Sequence, residues 1–168
     1  MKTQAAESLA ALAGKYLTVV LGDEAYGIAV LKVREIFRHQ KITPLPSMPE
    51  YVKGVINLRG QVIPVADLRL RFGFAAVDAD RNCIVLVRIE REGATDLYVG
   101  LIVDGVMDVA NITVDQISPA PELGGQIDTA YLLGIARVND HVRMLLDIDR
   151  LFAAETVEAV AEQGVSTS

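Results

Sequence analysis

The chain has 168 residues, 16 Lys plus Arg against 22 Asp plus Glu, a net charge of −6 at pH 7, one Cys, no Trp and 5% aromatics. The acidic balance excludes a basic nucleic-acid footprint and an electrostatic membrane binder, the scarcity of aromatics excludes a stacking platform for single strands, and one Cys excludes an internal disulfide and makes a reducing compartment the default. A chain of this length buries about 70% of its unfolded surface, so its core needs no disulfide or metal.

Val (21) and Ile (13) together supply 34 residues, which leans to β-sheet. Residues 1–14 read as a frayed or weakly helical tail. Tyr16–Leu21 and Tyr26–Val30 read as a hairpin around Gly22-Asp23-Glu24. Lys32–Phe37 fits a strand or a short helical turn equally. The three prolines of residues 42–49 rule out a helix interior or a central strand there. Ser47 is then a candidate cap for a short helical turn at 49–53.

Val55–Leu58 and Gln61–Val65 flank Arg59-Gly60, a two-residue connection that suits a tight hairpin. Asp67–Phe72 reads as a helical turn, and 75–82 as a loop. Cys83–Glu90, Leu97–Asp104 and Val106–Ile112 read as three strands, and 118–129 as a second Pro- and Gly-bearing loop. Tyr131–Val138 and His141–Ile148 flank Asn139-Asp140, another two-residue turn. Residues 149–163 read as a C-terminal helix, and 164–168 as a tail. No stretch reaches 18 uncharged apolar residues, so no membrane-spanning helix and a cytoplasmic protein are expected.

The two halves resemble each other. Gly27, Val30 and Val33 fall on Gly100, Val103 and Val106 at an offset of 73, and Glu35 falls on Asp108 with its charge kept. The Pro-x-Pro segment beginning at Ile42 falls on the one beginning at Ile117 at an offset of 75. Gly54, Val62, Asp67 and Phe72 fall on Gly134, Val142, Asp147 and Phe152 at an offset of 80. Each half thus holds a strand, a Pro-x-Pro loop, a Gly-led hairpin and an Asp-x-x-x-x-Phe exit in one order. About five short strands in each unit suggest a small barrel, which removes open sheet edges. The expected fold is all-β with short helices: two similar small barrels sharing a core, with approximate halves 15–75 and 83–152 and an undecided exchange of strands between them.

Catalytic constellations are absent. His39 and His141 are far apart in sequence and sit beside loops or turns, and Cys83 opens an apolar strand, where a free thiol is a small hydrophobe. Asp78-Ala-Asp80 faintly resembles a calcium loop, but its sixth position is Cys83 where Gly is required. No phosphate loop, zinc spacing or nucleophile elbow occurs. Asp67 and Asp147 occupy one turn in each half and read as caps. A non-enzyme without cofactor or metal is the reading; the rivals are a small enzyme using Asp67, Asp147 or Asp104 with His39, and a small-molecule-binding barrel.

What remains suggests binding. Three apolar runs are broken by single charges: 33–36 with Val33, Glu35 and Ile36; 54–60 with Gly54, Asn57, Leu58, Arg59 and Gly60; and 99–106 with Val103 and Val106. Such runs can rim an apolar groove, where a charge sets register and specificity more than affinity.

At these residues the sequence resembles the CheW family, the adaptors that couple chemoreceptors to the histidine kinase CheA. The resemblance is carried by Gly-Asp-Glu-Ala-Tyr-Gly-Ile (22–28), Val-Arg-Glu-Ile (33–36), Ile-Thr-Pro-Leu-Pro (42–46), the run 54–69 with Asn-Leu-Arg-Gly, Val-Gly-Leu-Ile-Val-Asp-Gly-Val (99–106) and Ile-Ser-Pro-Ala-Pro-Glu-Leu (117–123). It covers about residues 15–152. It implies two SH3-like five-stranded barrels and no catalysis. It implies two partners, the CheA-type regulatory domain and the cytoplasmic tip of chemoreceptors, and recruitment to the membrane through receptor arrays without insertion. By motif, Val33, Glu35, Gly54 and Arg59 belong to the receptor and kinase contact region. The position after Pro-Glu in the second half is Leu123, where the family often has Phe, so this chain lacks the area of a ring at the second ring contact. An adaptor of a paralogous array, such as one for twitching motility, is the alternative within the family.

Overall fold

A computed structural model describes residues 10–38, 40–77, 82–90, 93, 95–119 and 131–151. The strands are β1 (Gly14–Leu21), β2 (Glu24–Ala29), β3 (Val33–Arg38), β4 (Val52–Leu58), β5 (Gln61–Asp67), β6 (Cys83–Ile89), β7 (Leu97–Val103), β8 (Gly105–Ile112), β9 (Ile117–Ser118), β10 (Leu132–Val138) and β11 (His141–Leu146). Helix α1 spans Leu68–Arg71, α2 spans Ile148–Leu151, and 3-10 turns cover Val30–Lys32 and Val114–Gln116. The fold is all-β with short helices. The ambiguous segment 32–37 resolves as both of its readings in series, a 3-10 turn running into β3.

The strands form two sheets, in the orders β8-β1-β2-β11-β10-β9 and β3-β6-β7-β5-β4. Each sheet draws on both halves of the chain. The β4–β5 hairpin of the first half pairs with β7, in parallel, through Val65 and Gly100. The β10–β11 hairpin of the second half pairs with β2, also in parallel, through Leu145 and Gly27. These pairs are counterparts at offsets of 80 and 73, so replacing each strand by its counterpart turns one sheet order into the other. The sixth strand of the first sheet is the two-residue β9, which pairs Ser118 with Ile135; the second sheet has the single Thr43–Val55 bridge in its place.

Burial follows the two-residue period of strands. Along β6, Val85, Val87 and Ile89 enter a core shared by both sheets, while Ile84 and Leu86 enter a second core with Ile56, Leu58, Ile63 and Val65. Along β1, Leu17, Val19 and Leu21 enter the shared core, and Tyr16 joins Ile112, Ile117, Ala136 and Leu145 in a third. Each unit therefore has its own interior, and the two stand back to back on the shared core.

Asp67 accepts a hydrogen bond from the Arg69 amide at 3.0 Å, and Asp147 accepts one from the Arg150 amide at 3.1 Å, so both open a helical turn as caps. The Asp67 amide donates to the Tyr51 carbonyl at 2.7 Å, and the Asp147 amide to the Tyr131 carbonyl at 2.8 Å. Ser47 does not cap a helix. It has φ of 60°, whereas a capping residue needs an extended backbone, and the chain passes through turns into β4 from Val52. Of the C-terminal helix expected at 149–163 only residues 149–151 fall within the described residues, in α2, as do Ala10–Leu12 of the N-terminal tail, which are helical. His39, Asp78, Asp80, Leu123, Phe152 and residues 164–168 lie outside the described residues.

Candidate functional site

The second sheet curls until the turn at one edge reaches the strand at the other. Arg59, on the β4–β5 turn, donates two hydrogen bonds to Glu35 on β3: Nη2 to Oε2 at 2.6 Å and Nη1 to Oε1 at 3.2 Å. The fork-to-fork geometry fixes direction as well as distance. Both side chains remain accessible, with 70% of Arg59 and 33% of Glu35 exposed. The bond from Arg59 holds the Glu35 carboxyl below its ordinary range; desolvation opposes this, and the charges of Arg59 and Arg34 reinforce it.

Local sequence explains why the pair meets. Arg59 and Gly60 have φ of 51° and 87°, the two positive values of a type I′ turn, whose twist matches the flanking strands. The Asn57 side-chain oxygen accepts the Gly60 amide at 3.0 Å and locks that turn. On β3 the register slips between Val33, opposite Val87, and Glu35, opposite Leu86, leaving Arg34 as a bulge. Val33 and Glu35 would share a face on a regular strand. The bulge sends Val33 onto the shared core and Glu35 to the mouth of the neighbouring unit.

Beside the pair lies a hollow of about 350 Å³, lined by Leu58, Ile63, Leu86 and Tyr98 together with Arg34, Arg59 and Gln61. The Arg34 guanidinium lies 5.9 Å from the Tyr98 ring centre, within reach of a cation–π contact. The second unit answers the same positions differently. Its bulge is Met107, and its post-bulge acid is Asp108. Arg143 takes the place of Ile63, is 8% exposed, and donates to Asp108 at 3.0 Å and to the Thr18 hydroxyl. Where the first unit has Ile63 lining this hollow, the second has a buried cation.

The other sequence candidates divide. Ile36 is 42% exposed, and Asn57 and Gly60 are exposed. Leu58 is buried inside the first unit, Val103 is completely buried in the shared core, and Val106 is half-buried against it. Gly54 acts through its backbone: at φ of 141°, an added Cβ would stand 2.0 Å from the Thr43 carbonyl oxygen. Sequence reasoning passed over Leu31, which the 3-10 turn leaves 90% exposed beside this strip. It also passed over Arg34 and Tyr98. The signal in the sequence was the run Val-Leu-Lys-Val at 30–33, where Leu31 falls between the end of one strand and Lys32.

The carboxylates of the enzyme rival are already engaged. Arg69 binds Asp67 at 2.9 Å and Asp104 at 3.0 Å, all three buried, and Asp104 also accepts the Gly22 amide at 2.7 Å. A hollow of about 200 Å³ lies against Asp67, Arg69 and the half-buried Cys83. Among the described residues no cluster of His, Cys, Asp and Glu has a metal-holding arrangement, and no helix is long and apolar enough to cross a membrane.

Comparison with known proteins places this geometry among relatives. Residues 15–156 match the model of the CheW-like domain. The chain is 38% identical over 146 residues to the chemotaxis protein CheW of Klebsiella aerogenes, covering 87% of this chain and 86% of that one. It is 37% identical over 152 residues to CheW of Bacillus subtilis, covering 89% and 94%. It is 35% identical over 147 residues to the protein FrzA of Myxococcus xanthus, covering 84% and 86%. The crystal structure of the scaffolding protein TtCheW from Thermoanaerobacter tengcongensis superposes with a TM-score of 0.75 at 35% identity, covering 86% of this chain and 90% of that one.

Proposed function

This chain belongs to the CheW family, and from that premise we propose that it is a non-enzymatic scaffold of chemotaxis signalling that couples the cytoplasmic tips of chemoreceptors to the regulatory domain of a CheA-type histidine kinase. Its working place is then the cytoplasm, held at the membrane through receptor arrays. The working unit is residues 15–152, with repeats at about 15–75 and 83–152. The family match over 15–156 and the interchange of counterpart strands between the sheets support that division.

The observation that carries the reading is the exposed Glu35–Arg59 pair at the mouth of the first unit, set beside a hollow of mixed apolar and polar lining and the exposed apolar side chains of Leu31 and Ile36. An apolar patch rimmed by a directional charge pair suits a reversible protein contact: the apolar part supplies affinity, the rim register. Glu35, Ile36, Asn57, Arg59 and Gly60 form this contact strip, and Val33, Gly54, Leu58, Val103 and Val106 support it from the interior side. Leu123 stands at the family's second ring-contact position, with Leu where the family often has Phe. The engagement of Asp67 and Asp104 by Arg69 weighs against acid–base work, which needs a carboxyl free to exchange its proton.

Titration calorimetry against the purified regulatory domain of a CheA-type kinase from the same genome tests the proposal. Saturable binding is expected, and Arg59→Ala should weaken it while leaving the fold intact. No binding between two folded partners refutes the kinase assignment; a mutant that melts several degrees lower yet binds normally makes Arg59 structural. The relation to FrzA, 35% identical, favours one second reading: the same adaptor role in a paralogous chemosensory array.

A further inference from the structure

We propose that Asp149, 114 residues after Glu35 in the chain, is a positioning residue for the contact strip, acting through Lys32; this rests on the adaptor reading above. Asp149 lies on α2, at the exit of the β10–β11 hairpin of the first sheet. Both of its carboxylate oxygens reach across to the other sheet. Oδ1 accepts the Glu90 amide at 2.8 Å, just past the end of β6, the strand that pairs with β3. Oδ2 accepts from Lys32 Nζ at 2.6 Å, and Lys32 also approaches Glu90 at 3.4 Å. Lys32 closes the 3-10 turn that presents Leu31 and delivers the chain to Val33.

That turn needs an outside anchor. It has no side-chain cap, none of its three residues is buried, and its closing bond is the Val33 amide to the Val30 carbonyl. The other half shows what a firm anchor looks like. The counterpart of Asp149 at an offset of 80 is Arg69, which binds Asp104 at the β7–β8 corner, and that corner is the counterpart of the Leu31–Lys32 turn at an offset of 73. In both halves the residue two places past the capping Asp reaches the corner contributed by the other half, with the charges reversed. The Arg69 contact is buried; the Lys32–Asp149 contact has side-chain exposures of 21% and 32%. The strip's own corner is thus held by the weaker, salt-accessible version of the link. Asp149 ties together α2, the end of β6 and the entrance of β3, so its loss frees the entrance without touching the hairpin that carries Arg59.

Native-state amide exchange on the full chain, paired with calorimetry against the kinase regulatory domain, tests this. Asp149→Asn and, independently, Lys32→Met should raise exchange at the Val33 amide by about fivefold, the factor expected of a half-exposed ion pair, and weaken kinase binding by a similar factor. Exchange across β4–β5 should stay unchanged. The conservative variant Lys32→Arg, which keeps the cation facing Asp149 and Glu90, should retain much of both the protection at Val33 and the kinase affinity, which a role in packing alone would not require. Unchanged exchange at Val33 in both single variants overturns the proposal. So does faster exchange accompanied by wild-type affinity, which would leave Asp149 a local brace with no bearing on the contact. A wild-type chain that does not bind the kinase domain refutes the kinase assignment instead, and the exchange data alone then decide whether Asp149 positions the strand.

Discussion

Replacing Gly54 by Ala tests how the Pro-rich loop is held against the β4–β5 hairpin. The added Cβ would lie 2.0 Å from the Thr43 oxygen, 2.7 Å from its carbonyl carbon and 2.9 Å from the Pro44 Cα, all backbone atoms that no rotamer change can move aside. A relaxed carbon–oxygen contact needs about 3.3 Å, so loop and strand must part by about 1.3 Å. Thr43 and Val55 exchange two amide-to-carbonyl bonds at 2.8 and 2.9 Å, and such a separation breaks both. Their loss costs about 2 kcal/mol, and Ala at a φ that side chains rarely adopt adds about 1–3 kcal/mol. The expected destabilisation is about 3–5 kcal/mol, or a fall of about 10 °C in the melting midpoint for a domain of this size. Gly134, the counterpart, is the internal control. Its Cβ would stand 2.9 Å from the Ser118 oxygen without a positive φ, so Gly134→Ala requires a shift of tenths of an ångström and about 1 kcal/mol. Urea denaturation of both variants, with amide exchange at Thr43 and Val55, measures the difference. Equal costs for the two, or a Gly54→Ala loss below about 1 kcal/mol with both amides still protected, refutes the reasoning.

Three further outcomes follow from the same structure. The Tyr26 hydroxyl is completely buried without a hydrogen-bond partner among the described residues, and burial, with Glu24 adding, pushes its pKa up to about 12, while the ring stacks on Phe72 at 5.9 Å. Tyr26→Phe keeps the stacking and removes the orphan, so urea denaturation should show a gain of about 1 kcal/mol; a loss of that size would reveal a partner for the hydroxyl. Arg69→Met leaves Asp67 and Asp104 buried without their shared cation and should cost about 3–5 kcal/mol in the same assay, a loss under about 1 kcal/mol counting against the network. The Glu35 carboxyl is held low by Arg59, so the pair is present above the ordinary carboxylate range and is lost as pH falls through the depressed value. The carboxyl carbon of Glu35, followed by NMR, should titrate below the ordinary glutamate value in the wild type and return towards it in Arg59→Ala; identical titrations in the two would show that Arg59 does not set it.

Much of the fold was legible in the sequence because the signals were local. The Arg59-Gly60 and Asn139-Asp140 turns fix two hairpins through backbone conformations that few residue pairs adopt easily, and all four residues have positive φ. Asp67 and Asp147 cap because a side-chain oxygen two or three residues back reaches the first free amides of a helical turn. Matching residues at three nearly constant offsets showed two copies of one unit. The candidate site was legible in composition but not in arrangement. Glu35 and Arg59 both stood out as lone charges in apolar runs, yet their contact depends on the curl of a sheet whose edge strands are far apart in order. Val33 was grouped with Glu35 by spacing alone, and a single bulge at Arg34 put them on opposite faces.

The sequence by itself determined most of the strands, the hairpins, the Asp67 and Asp147 caps and the two-fold repetition, because each follows from residues within a few positions of one another or from direct comparison of the halves. Only the tertiary structure decided that each hairpin pairs in parallel with a strand of the other half, and so that Asp149 is brought to Lys32 and Arg69 to Asp104. Parallel pairing leaves no turn in the sequence to announce it. β2 and β7 carry the same Gly at the crossing point, so this local sequence does not tell the two hairpins apart.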